Sequence, residues 1–297
     1  MVSTFAATTS GLVAIDDGGA TQLEGRDVRA VAVGGDRWWA VADDELVTRA
    51  DGEDDWAPTP DLEFEARCVL PAGDAALVGT SEAHLFLVDA HGAELVEGFE
   101  TVEGRGDWFT PWGGPPDVRS ISEAGGRTHA NVHVGGIVRS TDRRSWQPTI
   151  EIRADVHEVL AVEGSDRVLA ATARGLAQSD DAGESWDFEQ DGLHAAYCRA
   201  VAACDDTVLV SASLGPRGGK AAVYRRPASG GHFEKCERGL PEWFADNIDT
   251  GCLAAASSYA VFGTRDGEVF ASEDAGDTWA RVSSGLSPVN QVLVLDR

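Results

Sequence analysis

Short alternating apolar segments recur along the whole chain and are separated by turns rich in glycine and aspartate. The clearest unit runs through Val156–Val162, Val168–Thr172 and Gly175–Gln178, followed by an acidic turn that ends at Trp186. Alternation of apolar and polar residues over about four to eight positions is typical of β-strands. Because no segment shows sustained helical periodicity, the chain is predicted to be all-β.

The same unit repeats about every 40 residues, which is the length of one four-stranded propeller blade. Its most regular part is a second strand that occurs at Thr4–Thr8, Trp38–Ala42, Ala75–Thr80, Thr128–Val134, Val168–Thr172, Thr207–Ser211 and Tyr259–Thr264. The count predicts a seven-bladed β-propeller of four-stranded antiparallel blades, forming a single domain over residues 1–297. Six or eight blades stay open as alternatives, because two intervals are longer and could hide strands.

The two ends of the chain complement each other in this pattern. The first repeat lacks a leading strand, whereas Val289–Leu295 is a strand without a repeat of its own. Pairing of this strand with Thr4–Thr8 would complete the first blade and remove its free edge. We therefore expect the C-terminal strand to join the N-terminal blade and close the ring.

Two acidic turns share the pattern Ser-x-Asp-x-Gly-x-Ser/Thr-Trp, at Ser179–Trp186 and Ser272–Trp279, and a shorter copy ends at Trp146. This pattern, at blade spacing, resembles the Asp-box or bacterial neuraminidase repeat. In such a turn the Asp side chain accepts backbone N–H groups, Gly adopts a positive φ and Trp packs beneath. The resemblance implies a structural role for the aspartates of these turns, away from the functional site.

Asp-box propellers include sialidases, other glycoside hydrolases, sortilin-type receptors and the photosystem II assembly-factor family. A resemblance to sialidases implies an Arg-Ile-Pro motif, a Tyr nucleophile paired with a Glu, and three arginines that bind the substrate carboxylate. The sequence contains no Arg-Ile-Pro, and of its three tyrosines only Tyr197 is expected near the mouth of a propeller. A glycoside hydrolase or lyase with two catalytic carboxylates is therefore the alternative function.

A basic residue recurs near the start of the leading strand in most repeats. This column consists of Arg29, Arg67, Arg119, His157 and Arg199. Because the leading strand of a blade lines the central channel, we expect these side chains around one axial opening. Guanidinium groups bind carboxylates and phosphates through two parallel N–H bonds. The column is a candidate anion site, and internal pairing with neighbouring acidic residues is the alternative.

Two long loops and the strand starts beside them add further candidates. These aromatic and polar residues are Trp108, Trp112, Tyr197, Trp243 and Asn247. At Tyr197 and Asn247 the acidic residue that accompanies the column elsewhere is missing, which predicts a free guanidinium at Arg199. We therefore predict a non-catalytic recognition or scaffold protein. Its expected partner is an anionic small molecule or an acidic protein segment.

Metal and thiol chemistry receive less support from the sequence. His129 and His133 share one face of a predicted strand and could form a metal pair. No third ligand stands at a suggestive spacing, so neither a metal nor a cofactor is predicted. The five cysteines are odd in number and lack CxxC spacing, which predicts buried free thiols.

The composition adds a strong charge asymmetry, with 50 acidic and 24 basic residues and a net charge of −26. The chain contains only two lysines, and a lysine-poor carboxylate surface indicates halophilic adaptation. Such a surface repels nucleic acid and anionic membranes, so neither is an expected partner. Met1–Ala20 lacks a basic n-region and no apolar run reaches the ~20 residues of a membrane helix, so we expect a cytoplasmic monomer.

Lowering the salt concentration should destabilise the protein, because carboxylates that are no longer screened repel one another. Thermal unfolding followed by circular dichroism should give a lower Tm at about 0.1 M KCl than at about 2 M KCl. A Tm that is the same at both concentrations would contradict the halophilic interpretation.

Overall fold

The computed structural model describes residues 2–16 and 18–296, and its strands form seven four-stranded antiparallel sheets. Each sheet corresponds to one repeat of the sequence pattern. The fold is therefore an all-β propeller of seven four-stranded blades, as predicted. Of the described residues, no helix is long and apolar enough to cross a membrane.

The first half of the chain, with the last strand, supplies blades 1 to 4. Blade 1 contains β1 (Val2–Thr8), β2 (Gly11–Ala14), β3 (Thr21–Gln22) and β28 (Val289–Asp296). Blade 2 contains β4 (Val28–Gly34), β5 (Arg37–Ala42), β6 (Glu45–Ala50) and β7 (Ala57–Pro58). Blade 3 contains β8 (Ala66–Ala72), β9 (Ala75–Thr80), β10 (Leu85–Asp89) and β11 (Gly92–Leu95). Blade 4 contains β12 (Asp117–Ala124), β13 (Arg127–His133), β14 (Gly136–Ser140) and β15 (Gln147–Pro148).

Blades 5 to 7 follow in the second half of the chain. Blade 5 contains β16 (Val156–Ala161), β17 (Val168–Thr172), β18 (Gly175–Ser179) and β19 (Asp187–Glu189). Blade 6 contains β20 (Tyr197–Cys204), β21 (Thr207–Ser213), β22 (Ala222–Pro227) and β23 (Glu234–Lys235). Blade 7 contains β24 (Leu253–Ala256), β25 (Tyr259–Gly263), β26 (Val269–Ser272) and β27 (Ala280–Ser283). The short helical segments are α1 (Glu97–Glu100) and the 3₁₀ turns Ser81–Ala83, Arg105–Asp107 and Ile152–Ala154.

Burial falls from the inner to the outer strands of a blade. The second strands β9 and β17 are almost wholly buried and carry small and branched apolar residues. The outermost strands β7 and β15 have only two residues each, both exposed. Short outer strands limit the exposed edge that another chain could pair with.

The C-terminal strand joins the N-terminal blade, as predicted. β28 runs antiparallel to β1, from the pair Val2 and Asp296 to the pair Thr8 and Val289. Val292 lies opposite Ala6 in this register and is 2% exposed. The pairing therefore buries apolar side chains as well as the edge of β1.

The chain folds into two compact units. Unit 1 comprises Met1–Gly25, Ala170–Gln178 and Asp187–Arg297. Unit 2 comprises Arg26–Leu169 and Ser179–Trp186. The prediction of a single domain over the whole chain stays a prediction.

Each unit has its own aromatic core. In unit 1 the ring of Phe262 packs against Phe270, with centroids 5.1 Å apart, and against Trp279 at 4.9 Å. In unit 2 the ring of Phe99 lies 5.6 Å from Trp108. Edge-to-face and offset ring pairs of this kind stabilise a core beyond the area that they bury.

The leading strands contain a β-bulge at the position of the column arginines. The pairing register of β4 with β5 shifts between Val28 and Ala30, and shifts recur in β8, β12 and β20. A bulge breaks strict alternation and turns a side chain to a new direction. The arginines within these register shifts are Arg29, Arg67, Arg119 and Arg199.

The acidic turns have the geometry that their pattern predicts. In the turn between β18 and β19, Ser185 donates its backbone N–H to Asp181 at 2.8 Å and Gly183 has a φ of 87°. Hydrogen bonds from the Ser185 side chain and backbone lower the pKa of Asp181 to about 2. The carboxylate therefore organises its own turn, and its oxygens are occupied.

All five cysteines are buried and free, as predicted. Burial raises the pKa of the Cys68 thiol to about 12 and that of the Cys236 thiol to about 11. Such thiols stay protonated at neutral pH and are poor nucleophiles.

Replacing Val292 with Asp should destabilise the protein by about 3–5 kcal/mol, because the new carboxylate would be buried without a partner. We expect Tm to fall by roughly 10 °C. Val282→Asp is the matched control, since Val282 lies in the outer strand β27 and is 46% exposed. Equal Tm values for the two variants would contradict a structural role for the β1–β28 pairing.

Candidate functional site

Two column arginines of unit 2, Arg29 and Arg67, belong to a chain of ion pairs. Arg67 Nη1 lies 2.8 Å from Asp44 Oδ1, and Arg67 Nη2 lies 2.5 Å from Glu65 Oε2. Arg29 Nη2 contacts the same Asp44 oxygen at 2.9 Å. One carboxylate thus bridges two guanidiniums. The finding favours internal pairing, the alternative that the sequence left open, for Arg29 and Arg67.

Asp44 reaches these arginines because of the tight turn that carries it. Asp43 and Asp44 form the two-residue connection between β5 and β6, with φ values of 53° and 63°. Aspartate tolerates this left-handed conformation better than most residues. Asp43 is itself paired, and its hydrogen bond from Arg26 lowers its pKa.

His157, the fourth member of the column, is fully buried beside Asp155 and His133. Its Nε2 atom lies 3.6 Å from Asp155 Oδ1, and its ring centroid is 5.5 Å from that of His133. Burial raises the pKa of Asp155, but the His133 imidazole and the charges of His157 and Arg119 lower it more. The net shift is downward, so Asp155 is ionised at neutral pH.

Arg199, in unit 1, is also paired. Its Nη1 atom lies 2.9 Å from Asp249 Oδ1, and its guanidinium carbon lies 5.3 Å from the Tyr197 ring centroid. The expectation of a free guanidinium at Arg199 is therefore wrong. Asp249 lies two residues after Asn247, in the turn before β24.

Trp243 is the centre of a cationic cluster in unit 1. Lys235 Nζ lies 3.9 Å from its ring centroid and Lys220 Nζ lies 5.8 Å from it. These are the only two lysines of the chain. The exposed Arg217, in the same loop as Lys220, forms no ion pair within residues 2–16 and 18–296. We call Arg217, Lys220, Lys235 and Trp243 the lysine–tryptophan patch.

His194 also packs against the indole of Trp243. Its ring lies 4.7 Å from Trp243, and its Nδ1 atom is 2.7 Å from the Tyr224 hydroxyl. Burial lowers the pKa of His194, and the positive charges of Lys235 and Lys220 lower it further. The imidazole is therefore neutral at pH 7, and the two ammonium groups carry the charge next to the indole.

Two loops hold this patch in place. The Asn247 side chain donates to the carbonyls of Gly215 and Pro216 at 3.3 Å and 3.4 Å. Ala221 and Phe244 form an isolated antiparallel bridge between the same loops. Asn247 is 8% exposed, so it serves as a loop anchor and presents little surface to a ligand.

The two remaining candidate tryptophans lie in different surroundings. Trp108 packs against Phe99 and the Arg105 guanidinium, whose carbon is 5.0 Å from the Trp108 ring centroid. Trp112 is 64% exposed and its ring lies 5.2 Å from that of His133. Of this pair, Trp112 is the more exposed.

A cleft of about 470 Å³ lies between acidic turns in unit 2. Its basic residues are Arg127, which contacts Asp166 Oδ1 at 2.6 Å, and Arg139, which pairs with Glu184. The positive charges of the cleft are therefore neutralised by the protein itself.

Sequence reasoning missed several residues of these clusters. Lys235 and His194 belonged to no motif, and His133 was paired with His129. The structure separates those two histidines, since His129 Nε2 contacts the Ala182 carbonyl at 3.2 Å. The scarcity of lysine was an available signal, because both lysines meet at one indole.

Comparisons with known proteins identify the fold. No protein-family model and no curated protein sequence match the chain. Among solved structures, an ancestral GH74 enzyme has a TM-score of 0.65 at 14% identity, covering 96% of this chain and 40% of that one. YCF48 bound to D1 peptide has a TM-score of 0.60 at 14% identity, covering 97% of this chain and 90% of that one.

A third neighbour is the GH74 xyloglucanase from Xanthomonas campestris, with a TM-score of 0.59 at 15% identity, covering 95% of this chain and 46% of that one. The chain thus spans less than half the length of the two GH74 enzymes. At these identities the likeness shows the seven-bladed propeller fold alone. The neighbours include hydrolases as well as non-enzymatic proteins, so the fold does not choose between enzyme and recognition module.

Arg199→Ala should lower the free energy of unfolding by about 1–2 kcal/mol, because it removes a charge-assisted bond and leaves Asp249 without its guanidinium. Arg217→Ala is the matched control and should change stability by less than about 0.5 kcal/mol. Urea unfolding of both variants measures the difference. Equal stabilities would contradict the assignment of Arg199 to a structural ion pair.

Proposed function

We propose that the protein is a non-catalytic recognition module that binds an acidic segment of another protein at the lysine–tryptophan patch. The observation that carries the proposal is the meeting of Lys220 and Lys235, the only lysines, at one indole ring. The proposed anion site therefore lies at the loops of blade 6. The column arginines are structural in this proposal.

The charge balance supports this choice of site. With a net charge of −26, the protein repels an acidic partner over most of its surface. Two ammonium groups near one ring repel each other, so an anion that binds between them relieves this repulsion. Lys220 forms no ion pair within the described part of the chain, and its charge is therefore available. Lys235 donates to the Glu242 carbonyl and lies 4.0 Å from Glu237 Oε1, so Lys220 is the freer of the two cations.

The aromatic residue adds contact area to the charge. Trp243 is half-buried, with lysines and His194 around its ring, so it is fixed before a ligand arrives. The neighbouring Leu214 is 61% exposed and adds an apolar surface beside the cations. Tryptophan beside basic residues is a frequent composition of binding hot spots. A peptide with both acidic and apolar side chains matches this surface.

Structural likeness supports a peptide ligand, without identifying one. The chain spans 90% of YCF48, whose structure holds a D1 peptide. The GH74 enzymes are neighbours too, and they represent the alternative of glycoside hydrolysis. That reaction needs two carboxyl groups that are free to act on the substrate. Asp44 and Glu65, which lie beside the column arginines of unit 2, both form ion pairs with Arg67. Because these two carboxylates are occupied, the structure favours recognition over hydrolysis.

Binding can be measured with a fluorescein-labelled peptide of about ten residues that alternates Glu and Leu, by anisotropy at moderate salt. Lys220→Ala should weaken binding by about fivefold, the equivalent of about 1 kcal/mol for one exposed charge contact. Trp243→Ala should weaken it at least as much, because it removes both the apolar contact and the support of the lysines.

Arg238→Ala is the matched control. It removes the same unit of positive charge, but Arg238 is paired with Asp277 at 2.7 Å. We expect the Arg238→Ala variant to bind the peptide with the same affinity as the wild-type protein. Equal effects of Lys220→Ala and Arg238→Ala would show a response to net charge alone and would overturn the proposed site. Hydrolysis of a glycoside panel by the wild-type protein would favour the alternative function.

A further inference from the structure

Three side chains with metal-binding atoms converge in unit 2, apart from the lysine–tryptophan patch. His133 Nε2 lies 3.1 Å from Asp155 Oδ1, and His157 Nε2 lies 3.6 Å from the same oxygen. The three ligand atoms all lie within 4.8 Å of one another. A single ion could therefore contact all three side chains after small rotations.

These separations match the requirements of a small divalent ion. Zinc binds imidazole nitrogen and carboxylate oxygen at about 2.0–2.2 Å, so neighbouring ligands of a tetrahedral site lie roughly 3.3 Å apart. The two measured separations, 3.1 Å and 3.6 Å, lie on either side of that distance. Two imidazoles and one carboxylate are also a ligand set that zinc favours.

The backbone holds the three residues on separate, ordered elements. His133 is the last residue of β13, and His157 is the second residue of β16. Asp155 lies between them in space, at the end of the 3₁₀ turn Ile152–Ala154, with a φ of 50°. This backbone conformation aims the carboxylate at both imidazoles. Ligands fixed in this way need little reordering to bind an ion.

The cluster also has an accessible side. Both imidazoles are buried, whereas the Asp155 side chain is 29% exposed. The exposed ring of Trp112 lies next to His133. An ion can enter from this side, and a fourth ligand can reach it there. Three protein ligands with one open position are typical of zinc sites that bind water or a further ligand.

We propose that His133, Asp155 and His157 bind one divalent transition-metal ion, with zinc as the expected metal. The fourth position would take a water molecule or an anionic ligand. Exposed carboxylates are also potential ligands of divalent ions, so the experiment must distinguish the proposed site from them. The proposal is independent of the lysine–tryptophan patch, and either can be wrong without the other.

The first experiment titrates ZnCl₂ into the full chain after treatment with a chelator, in a calorimeter. Excess MgCl₂ occupies the exposed carboxylates, since magnesium prefers oxygen ligands and water. We expect one tight zinc site per chain and a rise in Tm on zinc addition, because an ion that binds the folded state stabilises it. No saturable zinc binding above the magnesium background would overturn the proposal.

The second experiment assigns the site to its ligands. Asp155→Asn keeps the size of the side chain and should weaken zinc binding by more than about tenfold. His133→Gln should do the same. His129→Gln is the matched control, because His129 is buried on the same strand but contacts the Ala182 carbonyl. Unchanged zinc affinity in Asp155→Asn and His133→Gln would overturn the assignment.

A spectroscopic readout needs no variant. Cobalt(II) in place of zinc should give the intense visible absorption of a tetrahedral site with nitrogen and oxygen ligands. The weak absorption of six-coordinate cobalt bound to oxygen alone would contradict the proposed ligand set. This measurement keeps the proposal testable even if a histidine variant does not fold.

Discussion

The shortage of positive charge is the constraint on which the rest of the structure depends. The chain has 50 acidic and only 24 basic residues. Most arginine side chains therefore have a carboxylate close to them in the folded protein. Arg67 contacts Asp44 and Glu65, and Arg199 contacts Asp249. These two arginines are therefore structural cations. A cation that is free to bind a ligand requires loops that keep carboxylates away.

In the loops of blade 6, Lys220 forms no ion pair within the described residues, whereas Lys235 Nζ lies 4.0 Å from Glu237 Oε1. Lys220 and Lys235 extend over Trp243, whose negative ring face attracts both ammonium groups. The indole thus gathers the two positive charges at its ring, while its N–H donates to Glu242 Oε1 at 3.1 Å. Neutral His194 completes the support without adding a third charge. Because positive charge is scarce, arginines such as Arg67 and Arg199 are paired with carboxylates. For the same reason, two lysines at one indole are of functional interest.

The sequence predicts the blades well because each repeat satisfies local rules. The second strands predicted at Ala75–Thr80 and Val168–Thr172 coincide with β9 and β17, since their small and branched residues suit a strand buried on both faces. The pairing of β28 with β1 follows from an unpaired strand at each end. These features depend on hydrophobic pattern and strand count, which a single sequence carries.

The candidate site was harder to predict, because it depends on bulges and on contacts between distant residues. Alternation predicts that Arg67 shares a strand face with Glu65, and these two side chains do form an ion pair. The contact of Arg67 with Asp44 did not follow from alternation, and the pairing register of β8 shifts at this point. Asp44 and Asp155 reach their partners from left-handed turn positions. His133 and His157 lie on neighbouring blades. No sequence periodicity relates His133 to His157, so their contact is visible only in the three-dimensional structure.

The central claim is that the positive charge available to a ligand is concentrated at Trp243. Nuclear magnetic resonance of the indole N–H groups during titration with an acidic peptide tests this claim most directly, because each tryptophan gives its own signal. The account predicts that the Trp243 signal shifts with peptide concentration while that of the exposed Trp112 stays in place. A shift of the Trp112 signal with an unchanged Trp243 signal would contradict it.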